Sequence, residues 1–208
     1  MRRVLVTTAL ESSWPDEEPV LFLGEWCRRF SRRDRWSNLD YEVLIYHWDD
    51  HALFAKDFQY VSRLYERILV DLAYTLNRLL VVDHGIRYWR ILIGPWLRQF
   101  IEILCDRWRS IECVVDRAEV SYTIVLDGSQ SVVVPMDFVE FRRLYNSEGW
   151  NHGVYAAILK HFPQVECRHR PGETSATSMP PPAPLRLSWR REPRVAALAA
   201  WSQAAARQ

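Results

Sequence analysis

The sequence has 208 residues, and 27 basic against 26 acidic side chains leave a formal net charge of +1. That is enough chain for one domain burying roughly 70% of its unfolded surface, but it supplies no net positive field to gather nucleic acid, which is excluded as the default partner. No apolar run approaches the ~20 residues that span a bilayer, and the four cysteines, Cys27, Cys105, Cys113 and Cys167, stand in no CxxC spacing, which predicts reduced thiols in a cytoplasmic protein and no zinc knuckle.

The opening MRRVLVTTAL lacks the longer apolar stretch of a signal peptide. Within it, Arg3 to Thr8 is a short apolar run fit for a buried strand. ESSWPDEE, Glu11 to Glu18, is a loop by its serine, proline and acidic content. Pro19 to Gly24, PVLFLG, predicts a second buried strand ended by glycine, and Glu25 to Arg33 a short helix. Tyr41 to Tyr46, YEVLIY, predicts a third strand. A long helix follows, because Phe58, Val61, Leu64, Tyr65, Ile68, Leu69, Leu72, Leu76 and Leu79 recur at three- and four-residue steps. Asp49 or Asp50 upstream is placed to cap it.

A second helical region runs from about Tyr88 to Val115. Gly94-Pro95 interrupts it, and proline removes an amide donor while forcing the preceding residue away from helical angles, so a kink or two helices are expected. Ser121 to Asp127 and Ser131 to Pro135 are strand candidates joined by an Asp127-Gly128 turn signal. Asp137 is placed to cap a helix through Tyr145, and another helix is expected from Trp150 to His161. Beyond Cys167 the proline runs carry no period and read as disorder. Strands alternating with helices predict an α/β domain on a mainly parallel sheet with long helices over residues 1–166, and a tail over residues 167–208.

Ligands of such sheets bind beyond the carboxyl ends of the strands. The candidate loops are therefore Thr7 to Trp14, Gly24 to Trp26 and His47 to His51. In YHWDDH, His47 and His51 would share a face if the stretch were helical, giving half of a metal site. No glutamate follows His47 as HExxH requires, so no metal is assigned. The competing reading starts the helix after Asp49 or Asp50, whose carboxylate would accept amide hydrogen bonds. Either way His47, Asp49 and Asp50 fall at a strand's carboxyl end, where a histidine suits general base work. Glu25 has the same placement after the second strand. His84, Arg87 and Arg90 are anion-binding candidates, since guanidinium forks suit phosphate or carboxylate; pairing of the arginines with Asp83 or Glu66 is the structural alternative. Trp89 and Trp96 could stack on a sugar ring, although aromatic residues at helical spacing usually belong to a core. No GxGxxG, GxxxxGK[ST] or GxSxG occurs, and no cofactor is predicted.

TTALESSWP, VLFLGEWCRRFSR, YHWDD, RYWRILIGPWL and PMDFVEFRRLYNSEGWNHGVYAAIL together resemble the transferase family encoded in O-antigen and other surface-polysaccharide gene clusters of bacteria. The resemblance covers about Arg3 to Phe162. It implies a Rossmann-like lobe similar to the N-terminal lobe of a GT-B glycosyltransferase. It further implies transfer of a sugar or related group from a nucleotide-sugar donor to a glycan or lipid-linked acceptor, at the cytoplasmic face of the membrane and in peripheral association with it. Members of the family are longer, so the resemblance also predicts a truncated chain lacking the donor-binding lobe. The alternative is a non-catalytic fragment or interaction module. In the motifs lie Glu25, Trp26, His47, Trp48, Asp49, Asp50, Arg87, Trp89, Arg90, Gly94, Pro95, Trp150, Asn151 and His152; the resemblance assigns no roles among them.

Overall fold

Apolar runs bounded by turn residues become the strands of one sheet in the computed structural model, which describes residues 2–117, 120–128 and 135–172. β1 (Arg3–Val6), β2 (Val20–Phe22), β3 (Tyr41–Val43), β4 (Val120–Leu126) and β5 (Glu166–Arg170) lie in the order β3-β2-β1-β4-β5. Every pairing is parallel: Val4 lies opposite Val20, Val20 opposite Tyr41, Leu5 opposite Thr123, and Tyr122 opposite Glu166. Val4, Leu5 and Val6 of β1 and Val20, Leu21 and Phe22 of β2 are all buried, as expected of inner strands covered on both faces. Charged residues sit on both edges, Glu42 on β3 and Glu166 and Arg168 on β5, which discourages pairing with another chain.

All of β5 but Glu166 is built from residues that the sequence assigns to the tail. The predicted boundary at residue 166 therefore cuts through a strand that pairs with β4 along its whole length. Its Arg168 guanidinium lies 3.6 Å from the centre of the Tyr122 ring, adding a cation–π contact to the ladder. The strand expected at 131–135 falls outside the described residues apart from Pro135, so the hairpin is not part of the described sheet.

The predicted short helix after β2 is three pieces: 3-10 turns at Glu25–Cys27 and Phe30–Arg32, then α1 (Arg33–Trp36). α2 (His51–Leu80) is 30 residues long, about 45 Å at 1.5 Å per residue. Asp50 starts it, accepting from the amides of Ala52 at 2.9 Å and Leu53 at 3.2 Å, so capping is the arrangement adopted in YHWDDH. Gly94-Pro95 opens α4 (Gly94–Arg117), which Ile93 sets off from α3 (Ile86–Leu92). Proline stands in the first turn of α4, where its missing N–H has no helical partner to lose. A Cβ on Gly94 would stand 2.7 Å from the Tyr65 hydroxyl, so glycine permits α4 to approach α2 there. α5 (Phe138–Leu144) is capped by Asp137 and α6 (Glu148–Leu159) by Ser147.

Two apolar clusters meet along α4. Its first half packs Leu97 and Ile101 against Val61, Tyr65 and Leu69 of α2 and Trp89 of α3. Its second half packs Ile111 and Val114 against the sheet, with Phe141 of α5 and Trp150, Val154 and Tyr155 of α6. α4 thus ties the helical appendage to the α/β lobe. Among the described residues no helix is long and apolar enough to cross a membrane.

Candidate functional site

β1 stops at Val6, whose carbonyl accepts from the Leu23 amide at 2.9 Å. The next two carbonyls have no strand to pair with, and a buried backbone group needs a partner. Two tryptophans supply them: Trp26 Nε1 donates to the Thr7 carbonyl and Trp14 Nε1 to the Thr8 carbonyl, each at 3.1 Å. The Trp26 indole lies against Gly24, where a Cβ would meet ring carbons at 2.2–2.5 Å. Its ring meets Tyr46 edge-on, with centres 6.2 Å apart. Trp26 is therefore held on three sides and still 37% exposed.

Its exposed side opens on a groove of about 730 Å³ at the carboxyl ends of β1, β2 and β3. Thr8 follows β1, Glu25 and Trp26 follow β2, and Tyr46 and Asp49 follow β3; Asp106 and Arg107 of α4 and Glu148, Asn151 and Tyr155 of α6 form the remaining wall. Four carboxylates and one guanidinium line it. Three of the four are occupied. Arg28 holds Glu25, donating to Oε1 at 2.6 Å, and Arg28 is in turn stacked over Trp36 and Tyr41. Glu148 accepts from the Ala9 amide at 2.9 Å and from Arg29, which fixes α6 to the loop after β1. Asp106 accepts from the Tyr46 hydroxyl at 2.7 Å and from Arg107, with His47 Nε2 at 3.5 Å. Asp49 is exposed, and its carboxylate makes no hydrogen bond or ion pair among the described residues.

Arg107 is positioned as firmly as Asp106, since its Nε and Nη2 both donate to Asn151 Oδ1, at 3.2 and 3.0 Å. Burial, then the Asp106 carboxylate, pushes the Tyr46 phenol well up, so it stays a neutral donor. Burial does the same for Tyr155, 2% exposed, whose hydroxyl makes no hydrogen bond among the described residues. Behind the groove, His152 accepts from the Leu126 amide at Nε2, 3.1 Å, and faces the Thr8 hydroxyl at 3.5 Å through Nδ1. Burial lowers its pKa to about 4, so the ring is neutral and carries its proton on Nδ1.

Of the residues singled out from sequence, Glu25 and Asp49 line this groove. His47 is 3% exposed and sits behind Asp106, and Asp50 is spent on the α2 cap. His84, Arg87, Trp89 and Arg90 are elsewhere, on and before α3, and line no part of it. Arg90 is paired with Glu66 through two 2.6 Å bonds, which is the structural alternative raised above. Trp89 is buried with Nε1 on Asn77 Oδ1, and Trp96 stacks on Phe100 at the core. Tyr46, Asp106, Arg107 and Tyr155 were not singled out from sequence. A signal for Asp106 exists: in the row Ile103, Asp106, Ser110, Val114 it is a carboxylate among residues spaced to face one way on α4, and all but Ile103 are buried.

No curated protein and no solved structure matches the chain. A match over residues 3–181 to the LIC12162 family transferase takes in all five strands and every residue lining the groove, and the chain belongs to that family.

Proposed function

We propose that the groove is where this transferase moves a glycosyl or related group, from a nucleotide-sugar donor to a hydroxyl of a glycan or lipid-linked acceptor in surface-polysaccharide assembly. Asp49 is the general base. It takes the acceptor proton while the acceptor oxygen bonds to the transferred carbon, and the bond from that carbon to the donor's phosphate oxygen breaks. Arg107, the guanidinium facing the groove, stabilises charge growing on the leaving phosphate. Glu25 receives an acceptor hydroxyl, and Asp106, with His47 and Tyr46 behind it, keeps Arg107 in place. The observation that carries this reading is that Asp49 alone among the groove's four acids has its lone pairs uncommitted among the described residues. A carboxylate free of partners is the one that can receive a proton from substrate.

The test is nucleotide release from a panel of nucleotide sugars in the presence of lipid and glycan acceptors. Asp49→Asn should lose about two orders of magnitude in rate at an unchanged unfolding temperature. Full activity in that variant would remove Asp49 from the chemistry.

An interaction module is the second reading. It is favoured by large apolar side chains left exposed on and between α2 and α3: Phe58, Val81, Ile91 and Leu92 are 54–83% exposed. It predicts self-association in sedimentation and no nucleotide release with any donor.

A further inference from the structure

The ring of Trp26 is a rigid, one-sided platform. Thr7 fixes its edge, Gly24 lets its face lie on the backbone, Tyr46 butts against it, and the free side borders the groove. Beside it the groove presents groups of two kinds. Asp49 offers uncommitted acceptor oxygens, and Asn146 has only its amide nitrogen engaged, donating to the Arg142 carbonyl at 2.8 Å. Tyr155, 2% exposed as a residue, offers a hydroxyl with no protein partner among the described residues. That oxygen is not among the fully buried side-chain atoms left without a partner, and Tyr155 lines the groove, so its hydroxyl is open to a ligand there. Asp49 is the one acid of the groove without a cationic partner among the described residues, so the part of the groove that it lines favours a neutral, hydroxyl-bearing ligand over an anion.

We infer that Trp26 stacks on the apolar face of an uncharged pyranose ring, with Asp49 and Asn146 taking ring hydroxyls and Tyr155 donating to a ring or hydroxyl oxygen. That the ring belongs to the acceptor rests on the transferase reading above; its binding does not. Trp89 and Trp96 are built into the cores, whereas Trp26 is 37% exposed and lines the groove. Stacking on a sugar explains why an indole capable of deeper burial is kept at the mouth of a polar groove.

Saturation-transfer NMR on the full chain tests this with methyl glycosides of glucose, galactose, mannose, rhamnose and N-acetylglucosamine as probes. At least one should receive saturation at its ring C–H protons. Trp26→Ala should abolish that transfer, and Trp26→Phe should keep it. Tyr155→Phe, which deletes one oxygen, should weaken binding about tenfold and guards against a misfolded Trp26→Ala. Saturation of no glycoside, or equal saturation in Trp26→Ala and wild type, overturns the inference. Glycoside binding without nucleotide release in any donor assay would sink the transferase reading and leave the platform standing. Donor turnover unaffected by Trp26→Ala would do the opposite.

Discussion

His152 connects the exit of β1 to β4 through a neutral ring. Its pKa is near 4 in the fold and about 6.5 in an unfolded chain. Between those values the unfolded state binds more protons, so stability is complete above pH 6.5 and falls as the pH drops toward 4. The whole interval is worth about 3 kcal/mol. Urea midpoints at pH 7 and pH 4.5 should show that loss, and His152→Gln, which keeps an acceptor for the Leu126 amide, should flatten it. Single residues were legible in the sequence where chemistry is local. Asp50 caps from within its own turn, and Asp49 follows a strand. Tyr155 and Arg107 were not legible, because each acquires its place in the groove from partners far away in sequence: Arg107 needs Asn151, 44 residues on.

Among the elements, α2 ends on Val81 at φ 55°, ψ 48°, a left-handed residue with a branched side chain 83% exposed. The turn is held because the Val82 amide reaches the Asn77 carbonyl at 3.0 Å, while Asn77 Oδ1 accepts from the His84 amide at 3.1 Å and its Nδ2 donates to the His84 carbonyl at 2.9 Å. Glycine is the residue suited to that position, so Val81→Gly should stabilise the chain by about 1 kcal/mol in thermal unfolding. A decrease would mean that the Val81 side chain packs in a way its exposure does not show. Helices were legible because α2 and α4 carry long apolar stripes and their ends carry Asp50 and Gly94-Pro95. β1, β2 and β3 were legible as apolar runs. β5 was not, since its sequence ECRHR has one apolar residue and resembles a solvated loop. An edge strand can afford such a sequence because its partner β4 supplies the buried residues.

At the scale of the whole molecule, the appendage and the lobe are joined by polar as well as apolar contacts. Asp57 of α2 is 3% exposed and bonds Arg109 of α4 at 2.8 Å and Trp48 Nε1 at 3.2 Å. Asp57→Asn leaves Arg109 with Glu112 as its remaining partner and should cost about 2–3 kcal/mol, read as a lower denaturant midpoint. An unchanged midpoint would mean the two parts hold together by apolar packing alone. The α/β architecture and the carboxyl-edge rule were enough to point to the loops after β1, β2 and β3. They could not supply the wall from α4 and α6, which the sheet order brings across 100 residues of chain. The most direct measurement of the central claim is hydrogen exchange with and without each nucleotide sugar of the panel. A donor that is turned over should slow exchange in residues 43–49 and 145–151 and leave 84–92 unchanged. Protection confined to 84–92, or absent from all three segments, would contradict that claim.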